Sequence, residues 1–297
     1  MATKATENWD SVGFLGVGPE KTGTTWLHEV LSTHPQLGLP YSKELSFFWQ
    51  DREYPRETAL ARLTNDDWHH QRYRRYARDR IRRAFRYQRT TARNPGRIAW
   101  DLKYLLKTHD EDRYLSLFDF APDRISGEIS PQYFFLGRPQ IEKIRRLCPH
   151  AKIIITLREP RAWIWSWVRM HVQKSGYEPG GSQAEEFVER KMAKCSFTQA
   201  LKTWTSVYPE DQVSVFFYED LCREPWALYG RICEFLEIEP QDEVRERVHE
   251  RVNLGRTIDI PPNILSRIEN GWRDDVRELE TLLGRLPEEW HATFAEV

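Results

Sequence analysis

The sequence predicts an α/β protein, with a central parallel sheet of about five strands flanked by helices. Three observations carry that reading. Apolar, β-rich runs alternate with helical periodicity along most of the chain, the pattern of strands joined by helical crossovers. Two of the runs, one starting at Phe14 and one spanning Ile153 to Leu157, end in a short turn that opens straight into a helix. No internal repeat or low-complexity linker interrupts the series, so the 297 residues are expected to form a single domain, 1–297, with a basic helical insertion at about 54–96.

The first unit runs from Phe14 to Leu31. Its turn, Pro19-Glu20-Lys21-Thr22-Gly23-Thr24-Thr25, places a cation, three hydroxyls and a run of backbone N–H groups where the helix begins, which suits a phosphate-type anion. It is not the nucleoside-triphosphate loop, which needs Gly directly before the Lys and another five residues earlier; Glu20 and Leu15 stand there, and the glycine follows as Gly23. The helix is predicted to about Ser32, where His34-Pro35 ends the periodicity.

From Trp68 to Trp100 the composition turns basic. Between Arg72 and Arg97 lie eleven arginines and one acid, Asp79, with Tyr73, Tyr76, Ile81, Phe85 and Tyr87 spaced for one side of a helix that ends near Asn94-Pro95-Gly96. Such a run is usually a solvated face; the alternative is a clamp for an anionic ligand. Arg97–Leu102 can form a strand, and Arg124–Ile129 is the next one, followed by a loop at Ser130-Pro131.

In the second unit Arg158 closes the apolar strand, Glu159-Pro160 forces a turn, and Ser166 lies eight residues on in the next helix, so that Arg158 and Ser166 can converge on one phosphate. Residues 174–183, with three glycines and a proline, read as a loop or lid. A β segment follows at Val213–Phe217, then a turn at Asn253–Thr257 and a closing helix from Ile264 to about Leu283.

A formal net charge of −1 gives no global attraction to nucleic acid or membranes, so neither is expected as a partner and any electrostatic preference must be local. Cys148, Cys195, Cys222 and Cys233 lack CxxC spacing, which predicts buried reduced thiols and no metal site. The start lacks the apolar region of a signal peptide, and no run approaches a spanning helix, so a cytoplasmic location is expected, with a trimmed lumenal Golgi domain as the alternative.

Lys21-Thr22-Gly23-Thr24-Thr25-Trp26-Leu27 after a strand resembles the 5′-phosphosulfate loop of sulfotransferases that use 3′-phosphoadenosine 5′-phosphosulfate (PAPS), and Arg158 with Ser166 resembles the pair that grips the nucleotide's 3′-phosphate. The resemblance implies the P-loop-like sulfotransferase fold, PAPS as co-substrate with the 3′,5′-bisphosphate (PAP) as product, and no metal. It implies Lys21 beside the bridging oxygen, Thr22, Gly23, Thr24 and Thr25 around the 5′-phosphate, Trp26 as a face for adenine, and Gly255 and Arg256 as further 3′-phosphate contacts.

Lys43-Glu44 followed by Phe47-Phe48 resembles the Lys-Glu-x-x-Phe-Phe segment of the glycan-type and bacterial branch, where the Glu is the proposed base; here Ser46 replaces a frequent His, which puts the heparan substrate class in doubt. Lys107-Thr108-His109 resembles the Lys-x-His element of cytosolic members and makes His109 a rival base. The sequence after it, through Glu128-Ile129-Ser130-Pro131-Gln132-Tyr133, follows the Glu-x-x-Pro-x-Tyr pattern of the glycan and bacterial branch, which implies that Glu44 serves and that His109 sits at a helix entrance. The implied reaction is sulfuryl transfer to a hydroxyl or amine acceptor, anionic acceptors included. A nucleotide kinase, opposed by the broken triphosphate loop, and a sulfotransferase-like protein that binds anions without turnover are the competing readings.

Overall fold

A computed structural model describes residues 12–49, 57–65, 68–86, 95–118, 123–250 and 258–294. Five strands, β1 (Phe14–Gly16), β2 (Leu37–Gly38), β3 (Ile125–Ile129), β4 (Lys152–Leu157) and β5 (Val213–Phe217), form one sheet in the order β2-β3-β1-β4-β5, every pair parallel. The principal helices are α1 (Thr24–Thr33), α2 (Trp68–Arg86), α3 (Pro95–Leu106), α4 (Pro160–Ser175), α5 (Ser182–Lys194) and α6 (Pro262–Leu283).

Strand side chains alternate between two apolar layers, which is why the central strands read as unbroken apolar runs. Leu15, Ile153 and Ile155 face a core built with Trp163, Trp204 and Trp272. Phe14 and Ile154 face the opposite one, with Leu27, Val30, Leu31 and Ile232. Phe14 pairs with Gly127, where a Cβ would lie 2.3 Å from the Phe14 ring, so only glycine lets the ring lie flat there. The chain leaves β1 toward β2 and β3, then crosses to β4 and β5 on its other side. The loops after β1 and β4 therefore flank the switch point of the sheet, where α/β proteins of this type open a crevice.

The expected strand at Arg97–Leu102 is a helix instead. Pro95 suits the first helical turn, and Trp100 and Tyr104, one turn apart, stack at 5.0 Å and bury together, a contact for which the helical spacing of four is suited. The basic insertion is a helical pair, α2 against α3. Tyr73 meets Tyr104, Tyr76 meets Trp100, and Asp101 accepts bonds from the Tyr76 hydroxyl and from Arg80 at 2.7 Å. Residues 87–94 of the arginine-rich segment lie outside the described residues. Three cysteines are buried as expected, but Cys222 is exposed, because it sits on the short helix after β5 rather than in the core. Among the described residues no helix is long and apolar enough to cross a membrane.

Candidate active site

The β1–α1 loop is shaped by its glycines and by β4. A Cβ on Gly18 would lie 2.2 Å from the Thr156 hydroxyl and 2.4 Å from its backbone N, so only glycine lets the loop cross over β4. Lys21 and Gly23 both have left-handed backbone, at φ 74 and 91. For a lysine that conformation is costly, and such strain gathers at functional turns. Gly23 caps α1 without any side-chain cap bond, and no acid lies in the helix's first turn. The first N–H groups of α1 thus present a positive end at the loop.

The threonines divide their work. Thr22, 1% exposed, donates to the Pro19 carbonyl at 2.6 Å and meets the Thr156 hydroxyl at 2.8 Å, so its hydroxyl ties the loop to β4 and only its backbone is left for an anion. Thr24 is buried, and the Thr25 hydroxyl accepts from Lys43 Nζ at 2.7 Å, which leaves its own proton free to donate. Trp26 is a core residue rather than an open platform: it is 5% exposed, and its ring N–H donates to the Val248 carbonyl.

Arg158, at the end of β4, donates to the Lys21 carbonyl at 3.2 Å and lies 4.3 Å over the Tyr218 ring. Its Nε is buried without a partner. Half-buried Ser166 shares a face of α4 with Arg169, three residues on. Burial, then Arg158, pushes the Arg169 pKa down; burial, then Lys174, Arg169 and Arg158 against the opposing pull of Glu20, lowers that of Lys21. Lys21 thus feels the charges of Lys174, Arg169 and Arg158, and Arg158 is held against the Lys21 carbonyl. A pocket of about 410 Å³ is lined by Arg158, Arg161 and Arg223 together with Glu159, Glu219 and Glu289, and within it Arg161 is paired with Glu159 and Arg223 with Glu289.

In the β2–α2 connection, Glu44 also has left-handed backbone, φ 61, and is partly exposed. Its carboxylate lies 3.3 Å from Lys43 Nζ and accepts from Gln132 at 3.3 Å. The segment hangs on a buried acid. Glu128 accepts from the Tyr114 and Tyr133 hydroxyls, both at 2.9 Å, and from Ser130 at 2.6 Å, while Ser130 Oγ in turn accepts from Ser46 N–H. Burial, with Glu128 beside them, pushes both tyrosines far above their usual pKa. His109 is 1% exposed and stacked on Phe47 at 4.3 Å, one residue before the cap of the next helix. Gly255 and Arg256 lie outside the described residues.

A model of the sulfotransferase family matches residues 14–243, which include the loop, Glu44, Arg158 and Ser166. The chain belongs to the sulfotransferase family. A sulfotransferase from Alicyclobacillus acidocaldarius is 22% identical, with a TM-score of 0.61 over 94% of this chain and 98% of its own. The sulfotransferase domain of the curacin biosynthetic pathway gives 19% and 0.57 over 93% and 99%. That of the Synechococcus PCC 7002 olefin synthase gives 19% and 0.57 over 95% and 100%. These likenesses show a shared fold. A search of curated proteins returns no match.

In this sulfotransferase several residues of the site carry no local signal in the sequence. Arg169 belongs to no motif and is picked out only by its effect on Lys21, and Tyr218 reaches Arg158 from 60 residues away. Trp167 lies beneath two ammonium groups, Lys21 at 5.5 Å and Lys191 at 4.2 Å. Glu20, read from the sequence only as a departure from the triphosphate loop, has its pKa raised by burial, with Glu44 adding and Lys191 opposing. Among the described residues no group of three or more His, Cys, Asp or Glu side chains could hold a metal ion.

Proposed function

We propose that this sulfotransferase moves the sulfuryl group of PAPS to a hydroxyl or amine acceptor. The observation that carries the reading is Arg158, whose guanidinium donates to the Lys21 carbonyl at 3.2 Å while its Nε is buried and unpartnered, with burial, Lys174, Arg169 and Arg158 all depressing the Lys21 pKa. Like charges held together in partly desolvated surroundings favour a highly charged anion among them. When bound, the nucleotide supplies the sulfuryl group, which passes in line to the acceptor as PAP departs.

The chain's own residues divide into three roles. The loop N–H groups at Gly23, Thr24 and Thr25, with the Thr25 hydroxyl, hold the 5′-phosphate, while Arg158, Ser166 and Arg169 hold the 3′-phosphate, joined by Gly255 and Arg256. Lys21 offsets charge developing on the departing oxygen, a role that a preorganised ammonium performs best when partly desolvated. Glu44 takes the acceptor's proton, held in position by Lys43 and Gln132.

Calorimetric titration with PAP and with AMP, together with turnover of radiolabelled PAPS against an acceptor panel, tests the reading. PAP should bind at least about tenfold more tightly than AMP, the gain expected from charge-assisted bonds to the extra phosphate, and Arg158→Ala should erase the difference. Equal affinity for the two nucleotides would sink the proposal.

A further inference from the structure

The arginine-rich hairpin takes no part in the site described above, yet its outer side is unusual. Tyr73 on α2, with Trp100 and Tyr104 on α3, turns one side of the pair to the core. Half a helical turn away on α2, Arg75, Arg78 and Arg82 are exposed at i, i+3 and i+7, and no ion pair holds them among the described residues. The solvent side of α3 carries Ile98, Leu102 and Leu106 at i, i+4 and i+8, exposed by 43%, 53% and 56%. Ile81, 57% exposed, extends the apolar character onto α2. The arginines that could have shielded this row are committed elsewhere: Arg80 to Asp101, and Arg74 to the Asn65 carbonyl.

We infer that the outer side of the α2–α3 hairpin docks on an anionic lipid surface, the aliphatic row entering the headgroup boundary and the arginine row meeting the lipid phosphates. The pairing of a basic row with an aliphatic row is the chemistry of interfacial helices. A soluble polyanion would engage the arginines and leave three large aliphatic side chains in water. A second copy of the chain, related by a two-fold axis that joins the aliphatic rows, would bring two arginine rows to one contact, which like charge opposes. The near-zero net charge of the whole chain does not matter, because the attraction is local: the single acid of α2, Asp79, stands against the three exposed arginines of the row, and Asp101 of α3 is paired with Arg80. The hairpin also adjoins the site. Tyr41 packs edge-on against Trp100 at 5.4 Å and under Arg97 at 4.4 Å, and Ser42 donates to the Tyr104 hydroxyl, two residues before Glu44.

Sedimentation of the full chain with sucrose-loaded vesicles tests this independently of any transfer activity. Vesicles of phosphatidylcholine with about 30 mol% phosphatidylserine should carry the protein down at about 50 mM salt and much less at about 200 mM, whereas pure phosphatidylcholine should not. Combined Arg75→Gln, Arg78→Gln and Arg82→Gln should weaken partitioning about a hundredfold, from roughly 1 kcal/mol per basic side chain at an anionic surface. Combined Ile98→Ser, Leu102→Ser and Leu106→Ser should also release the protein. Circular dichroism should show both variants folded, since the altered side chains are exposed. No binding at low salt overturns the inference. So does binding that survives loss of the aliphatic row, which marks a polyanion site, or a dimer in sedimentation velocity that the serine variant dissolves, which marks a self-contact.

Discussion

Arg158 donates to the carbonyl of Lys21 at 3.2 Å, so the cation that ends β4 also fixes the backbone that presents the lysine at the end of β1. The bond couples the loops after β1 and β4 across the switch point of the sheet. It makes Arg158 a brace for the loop as well as a candidate anion ligand.

Arg158→Lys should therefore fail as a conservative change. A lysine keeps the charge but loses the fork that spans the Lys21 carbonyl and the Tyr218 face. PAP affinity should drop by about 10- to 100-fold, the worth of one or two charge-assisted bonds, while AMP affinity changes less. Calorimetry with both nucleotides measures the two effects separately.

Glu44→Gln preserves shape and removes basicity. With an acceptor that turns over, kcat should fall by about 10²- to 10⁴-fold while PAP affinity stays near that of the parent. His109→Ala should instead lower the melting temperature, because the imidazole is buried against Phe47, and leave kcat within a few fold. The opposite pattern would move the base to His109.

Two glycines offer a matched pair. Gly18→Ala drives a methyl group into the backbone of Thr156, so the loop must lift from β4; unfolding should come at clearly lower denaturant, and nucleotide binding should be lost. Gly230 lies inside the helix Pro225–Leu236, and a methyl group added there would meet no heavy atom within 4 Å, so Gly230→Ala should stabilise by about 0.5–1 kcal/mol. Urea titration of both variants reads the contrast.

Half-buried His28 and buried His34 should make stability fall as pH drops from about 6.5 toward 4. Burial, then Lys43, lowers His28 to about 4, so below its ordinary pKa the unfolded chain binds a proton that the folded chain refuses. His34, also lowered, acts in the same direction, whereas the raised Glu20, Glu159 and Glu219 act in the opposite one. The difference between the parent and His28→Gln isolates the part due to His28. The variant should lose less stability across that window, as seen in urea midpoints at a series of pH values.

Much of the site is legible because it is local. A strand, a turn and a helix N-terminus lie within twenty residues, so periodicity, a lysine and a following glycine mark the first unit, and the apolar run closed by Arg158 and Glu159-Pro160 marks the second. The buried carboxylate of Glu128 belongs to a recognisable pattern, but the pattern does not say that two tyrosines and a serine would surround it.

By itself the sequence determined the parallel α/β class, the strand ends that open into helices, and the family, because hydrophobic period and turn chemistry are properties of neighbours along the chain. The tertiary structure alone decided that Pro95–Leu106 is a helix, that the Thr22 hydroxyl is spent on Thr156, that Arg169 and Tyr218 join Arg158, and that Arg75, Arg78 and Arg82 face outward while Arg80 turns to Asp101. Each of these rests on which distant segments pack together, and that is set by burial of the whole core rather than by any local preference.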